Sequence, residues 1–176
     1  MEFTNNIPMS NKIFDTISNR IYSDFPNACI LWIDEINNEA LANKYKKYKE
    51  VLEEKNDEVK ELQLFHGTKI NNIENIINNG FKLVHNVVSA YGLGTYMAPS
   101  CKMSLSYTDI SKKDISYVFL CDCVVGKCCI GRYNKPIDDS QYDTQVNIMP
   151  NSTIYSFPND DSINPRYLIA FHKNAK

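Results

Sequence analysis

Helical spacing of apolar residues crowds the first half of this chain, and strand-like patterning dominates the second. In 10–25, Ile13, Phe14, Ile17, Ile21, Tyr22 and Phe25 fall on one stripe, and Pro26 marks its end. A second helix is predicted over 38–60, with Leu41, Tyr45, Tyr48, Val51 and Leu52 inward and a Lys/Glu-rich solvated face opposite. A third follows residue 68: Thr68 is its expected cap, Ile70, Ile73, Ile76 and Ile77 its apolar face, and Asn78-Asn79-Gly80 its stop. Strands are expected at 29–33, 62–65, 94–98, 117–125, 153–157 and 166–172, with one short helix near 100–108. Helices and strands segregated in this way predict an α+β fold and argue against a doubly wound parallel sheet.

A chain of 176 residues, 43% hydrophobic, can bury one core without covalent staples. A net charge of −2 argues against nucleic acid and against an anionic membrane surface as partners, and no apolar run is long enough to span a bilayer. The polar N-terminus has no signal-peptide core, so the expectation is a cytoplasmic or nuclear protein that is not secreted. The six cysteines should then be free thiols. Cys121 and Cys123 share one face of a strand, and with Cys128 and Cys129 they would make a conceivable zinc set. Buried core thiols are the better reading. Three histidines, His66, His85 and His172, would all be needed for a histidine metal site, so no metal is expected. The sequon Asn151-Ser152-Thr153 carries no weight without secretion.

Two segments carry chemistry. In His66-Gly67-Thr68 a histidine ends a strand beside a residue whose backbone N–H and C=O have no side chain in front of them. That pair of groups can meet a primary amide donor to acceptor and acceptor to donor. In Gly92-Leu93-Gly94-Thr95-Tyr96-Met97-Ala98, followed by Ser104 and Tyr107, two tyrosines offer aromatic faces. Such faces attract a flat cation by about 0.5–2 kcal/mol each. Ser104 and Tyr107 are three residues apart and so share one side of a helix. A flat, cationic, amide-bearing ring is what the nicotinamide end of NAD presents. The glycines do not make a dinucleotide-fold loop, because Met97 stands where the third glycine belongs and the segment opens a strand.

With these motifs in this order, the chain resembles the catalytic domain of the poly(ADP-ribose) polymerase family, among the diphtheria-toxin-like ADP-ribosyltransferases. Leu64-Phe65-His66-Gly67-Thr68 is similar to the family's His-Gly-Thr/Ser strand, and Gly92 to Tyr107 to its G-x-G-x-Y-x-A stretch with the serine and tyrosine that follow. Residues 33–45, Val124-Val125-Gly126-Lys127 and Pro165-Arg166-Tyr167-Leu168-Ile169 are similar to further family segments, so the likeness spans about 28–172. The resemblance implies antiparallel-rich split sheets with flanking helices over 27–176, and a helical extension over 1–26. It implies that His66 holds the nicotinamide ribose, that Gly67 and Ser104 clasp the carboxamide, and that Tyr107 and Tyr96 enclose the ring, with Thr68 and Ala98 completing the NAD contacts. NAD is then a co-substrate, no metal is needed, and the partners are protein acceptors of a monomeric enzyme.

The chain departs from polymerising members at Arg166, where they carry glutamate. Arginine stays protonated and cannot act as a base. Beside a developing cation, at ~4 Å and an effective dielectric of ~20, its charge repels by about 4 kcal/mol. Polymer synthesis is therefore not expected. Arg166 is the remaining catalytic candidate beside His66 and Tyr96, on the view that it turns to the NAD diphosphate during transfer of a single ADP-ribose. The alternatives are a catalytically inactive NAD- or ADP-ribose-binding module and, more distantly, a tRNA 2′-phosphotransferase. The latter is disfavoured by the 92–107 segment and the absence of excess basic charge. A shifted alignment would bring Asp160 or Asp161 to the position of Arg166.

Overall fold

The computed structural model describes residues 2–83, 89–107 and 115–173. In chain order its elements are β1 (Thr4–Asn6), α1 (Lys12–Asp24), β2 (Cys29–Ile36), α2 (Glu39–Lys55), β3 (Lys60–Gly67) and α3 (Ile73–Asn79). They are followed by β4 (Thr95–Met97), α4 (Cys101–Ser104), β5 (Ile115–Val125), β6 (Cys128–Ile130), β7 (Thr144–Val146), β8 (Tyr155–Phe157) and β9 (Ile163–His172). The fold is α+β; among the described residues α1, α2 and α3 lie in the first half, while α4 and a 3-10 turn at Asp160–Ser162 lie in the second.

Two sheets form. The first is antiparallel with order β1-β2-β9-β5-β3, and the second has order β4-β8-β7-β6 with a single parallel pair, β6 and β7. Among the described residues one bridge joins them. Phe65 of β3 and Ala98 just past β4 exchange two backbone hydrogen bonds, 2.7 and 3.0 Å. On one face of the first sheet, Phe65, Val118, Leu120, Tyr167, Ile169 and Phe171 pack against Phe14, Ile17 and Ile21 of α1. On the other, Leu64, Phe119, Cys121, Cys123 and Leu168 pack against Ile73, Ile76 and Ile77 of α3 and against Met97 and Phe157 of the second sheet. Strand alternation produces both layers, since neighbouring residues project to opposite faces. Cys121 and Cys123 are fully buried free thiols, which leaves no role for them as ligands at a surface site.

Local signals set the helices with instructive exceptions. Asn11 caps α1 by accepting from the Ile13 N–H at 2.9 Å, and Asn38 caps α2 by accepting from Leu41. Gly80 ends α3 with φ +75, where its amide reaches the Ile76 carbonyl. Thr68 does not cap α3 as expected. A 3-10 turn over Ile70–Asn72 intervenes, Thr68 Oγ1 instead accepts from Asn72 Nδ2, and Ile70 is exposed. α2 is shorter than expected, because Asn56 closes it on the Leu52 carbonyl, and Val51 faces solvent. The expected 100–108 helix is one turn of α-helix continued by a 3-10 turn, and its last residue lies outside the described residues. β1, β6 and β7 were not expected. At three residues each, they are too short to show alternation. No helix among the described residues is long and apolar enough to cross a membrane.

Candidate functional site

β3 is the edge of the first sheet, and its backbone groups alternate in direction. Phe65 spends its N–H and C=O on Ala98, on the outer side. His66, one residue on, therefore turns its own groups inward to its partner Phe119 on β5, and Gly67 turns outward again. The second sheet has already diverged there. Among the described residues nothing pairs with the outward N–H and C=O of Gly67, although the residue is buried. A buried, unpaired donor and acceptor side by side is a demand for a partner.

His66 stands next to this opening. Its Nδ1 lies 2.8 Å from the Tyr96 carbonyl oxygen, and a carbonyl only accepts, so Nδ1 carries the proton. The ring meets Phe81 edge-on at 4.8 Å, and loss of solvation pushes its pKa down to about 4 against the weaker opposing pull of the Tyr96 carbonyl. At neutral pH the ring is thus uncharged with Nε2 as a bare acceptor, suited to take a hydrogen bond from a hydroxyl.

Ser104 is buried on α4, with Oγ 3.0 Å from the Phe65 carbonyl oxygen. This places a rotatable hydroxyl on the outer edge of β3, one outward-facing position before Gly67. Tyr96 is tied into the preceding turn: its hydroxyl donates to the Gly92 carbonyl at 2.8 Å and accepts from the Tyr91 N–H at 2.8 Å. Gly92 sits at φ +91, with a Cβ there falling about 2.1 Å from the Gln145 amide, so only glycine fits. Tyr96 therefore meets His66 through its carbonyl and ties this turn with its hydroxyl. Ala98 contributes its backbone bridge to Phe65, and Thr68 is buried with its hydroxyl on Asn72. Tyr107 ends the 3-10 turn that follows Ser104; its ring lies outside the described residues, as does His85.

Arg166 is elsewhere. It falls at the irregularity where β5 and β9 lose register between Leu120 and Cys121, and its guanidinium bonds Glu35 Oε1 at 2.8 Å. It also lies 5.8 Å from the Tyr167 ring centroid. Burial opposes its charge, but the Tyr167 hydrogen bond and the Glu35 carboxylate outweigh it and hold the guanidinium pKa above its usual value. Glu35 and Tyr167 are directly opposite on β2 and β9, and Tyr167 belongs to the layer that packs on α1. His66 meets Phe81, which belongs to the other layer. The two side chains thus lie against opposite faces of the first sheet. Asp160 accepts from the Leu83 N–H at 3.0 Å, which holds the start of β9 to the segment after α3.

The structure therefore brings together His66, Gly67, Tyr96, Ala98 and Ser104 and separates Arg166 from them. Sequence reasoning missed Phe81 and Glu35. Phe81 had a faint signal, an aromatic directly after the helix-stopping Gly80; Glu35 had none, since its partner is 131 positions away across a register shift. Among the described residues no group of three His, Cys, Asp or Glu side chains is placed to hold a metal.

The chain is 29% identical over 174 residues to human "Protein mono-ADP-ribosyltransferase PARP14", covering 88% of this chain and 10% of that protein. It is 29% identical over 182 residues to mouse "Protein mono-ADP-ribosyltransferase PARP12", covering 95% of this chain and 25% of the relative. The chain thus spans a quarter or less of these relatives' lengths. The model of the poly(ADP-ribose) polymerase catalytic domain matches residues 14–147, the stretch from α1 through β7 that carries His66, Gly67, Tyr96 and Ser104, and the chain belongs to that family.

Proposed function

We propose that this chain transfers a single ADP-ribose from NAD to a protein acceptor and releases nicotinamide. The observation that supports the reading is a Gly67 backbone left unpaired among the described residues, beside a neutral His66 whose Nε2 is the ring nitrogen not bound to Tyr96. The Gly67 N–H and the Ser104 hydroxyl would take the carboxamide oxygen, and the Gly67 carbonyl its NH2 group. Nε2 of His66 would accept from a hydroxyl of the adjoining ribose. So held, the glycosidic C–N bond breaks with its electron pair going to nicotinamide, which leaves neutral. The resulting oxocarbenium-like ribose is captured by a nucleophile on the acceptor, which loses its proton. The protein's contribution is placement in a site fixed before the ligand arrives. Arg166 stays protonated and cannot activate a ribose hydroxyl, so the acceptor's own carboxylate supplies that help and the product stops at one unit.

Arg166 favours a second reading, an NAD- or ADP-ribose-binding module without turnover, because a cation bound to Glu35 stands where a carboxylate would support the developing charge. Purified protein incubated with labelled NAD separates the two. Label on the protein or on lysate proteins that disappears in His66→Ala supports transfer. NAD binding by calorimetry with neither label nor nicotinamide release supports the module, and absence of NAD binding removes both.

A further inference from the structure

α1 reaches both walls of the site with two side chains one helical turn apart. Arg20 is half-buried, and its Nη2 donates to the Gln63 carbonyl at 2.8 Å and lies 3.5 Å from the Pro99 carbonyl. Its guanidinium carbon sits 4.6 Å from the Phe65 ring centroid. Gln63 precedes Phe65 and Gly67 on the outward side of β3, so Arg20 occupies the edge position just before the Ala98 bridge and Ser104. Four residues on, Asp24 Oδ2 accepts from the Ser100 hydroxyl at 2.9 Å and from the Lys102 N–H at 3.0 Å. Ser100 stands at the N-terminus of α4 but makes no side-chain cap of its own, so Asp24 supplies from α1 the acceptor that this helical turn lacks. Residues four apart share a helix face, which is why one face can hold two separate segments.

We infer that α1 is a brace for the nicotinamide pocket: Arg20 and Asp24 are positioning residues that fix the spacing between the His66-Gly67 strand and the Ser104 turn. Each jaw of the carboxamide clasp is tied to the same rigid helix, so the two cannot drift apart independently. Preorganisation of this kind is sensitive, since a shift of roughly 1 Å can change a rate a hundredfold. The inference rests on the reading of the site as an NAD pocket, and its test is built to separate the two.

The experiment compares the full chain with Arg20→Ala, Arg20→Lys, Asp24→Ala and Asp24→Asn. Ile17→Val serves as a control that loosens α1 packing at a buried position without touching either contact. Hydrogen exchange followed by mass spectrometry reads the brace directly. Arg20→Ala and Asp24→Ala should each speed exchange in peptides covering both 63–67 and 98–104, whereas Ile17→Val should not. NAD affinity then reads the consequence. The two alanine variants should bind about tenfold more weakly. Asp24→Asn, which keeps an acceptor oxygen, should stay near the parent. Arg20→Lys should recover only part, because an ammonium cannot both fork to two carbonyls and lie flat on Phe65. Unchanged exchange in the alanine variants overturns the brace. Faster exchange with NAD affinity held within twofold overturns the positioning role. A parent protein that binds no NAD, with exchange changing as stated, removes the NAD reading and leaves the brace standing.

Discussion

Acid should cost this protein stability through His66, and the structure sets the size and the pH window. The ring is held neutral by loss of solvation, with its pKa pushed down to about 4 from an ordinary 6.5. In the unfolded chain the same imidazole takes a proton as pH falls below 6.5, while the folded one refuses it until about 4. Unfolding therefore takes up a proton across that interval, and the stability present above pH 6.5 drains away as pH falls. At pH 5 this proton uptake shifts the folding equilibrium about thirtyfold toward the unfolded form, a loss of about 2 kcal/mol. Because the ring is only partly covered, this is an upper bound. Carboxylates such as Glu61, stabilised by Lys49, also titrate on the acid side, so a single curve does not isolate the histidine. Urea unfolding at pH 7, 6 and 5 on the parent and on His66→Asn does. Asparagine keeps an N–H for the Tyr96 carbonyl and cannot ionise. The parent should lose more stability than the variant by up to about 2 kcal/mol between pH 7 and 5. A difference between the two that stays constant with pH would show that folding leaves the imidazole's titration unshifted, and the reading of a desolvated ring would fall with it.

Three further outcomes follow from the same geometry. Ser104→Ala removes the hydroxyl on the Phe65 carbonyl, which still has the Ala98 N–H, so denaturant unfolding should register a loss of about 1 kcal/mol. NAD affinity by calorimetry should fall by more than that loss explains. Arg166→Ala breaks a partly exposed pair worth less than about 1 kcal/mol, and on the face away from His66 it should leave NAD affinity unchanged; a clear drop would place the guanidinium at the ligand after all. Gly92→Ala forces a side chain into the Gln145 amide at φ +91, and a loss of about 1–3 kcal/mol is expected, read as a lower urea midpoint.

What the sequence determined on its own has a local cause. The α1 stripe through Phe14, Ile17 and Ile21, the glycine stop at Gly80, the strand at 117–125 with Cys121 and Cys123 on one face, and the α+β class all follow from spacings of 3.6 or 2. The sequence also singles out His66-Gly67, because a glycine leaves its backbone N–H and C=O with no side chain in front of them. The tertiary structure decided what depends on register and on distant partners. A one-residue irregularity in β9 sets Arg166 beside Glu35 and not in line with His66, and no local pattern encodes such a slip. The tautomer of His66 was settled by a carbonyl 30 residues away, and the cap of α4 by a carboxylate 76 residues away from Ser100. Those contacts arise where elements cross, and periodicity within one element carries no information about which neighbour it will meet.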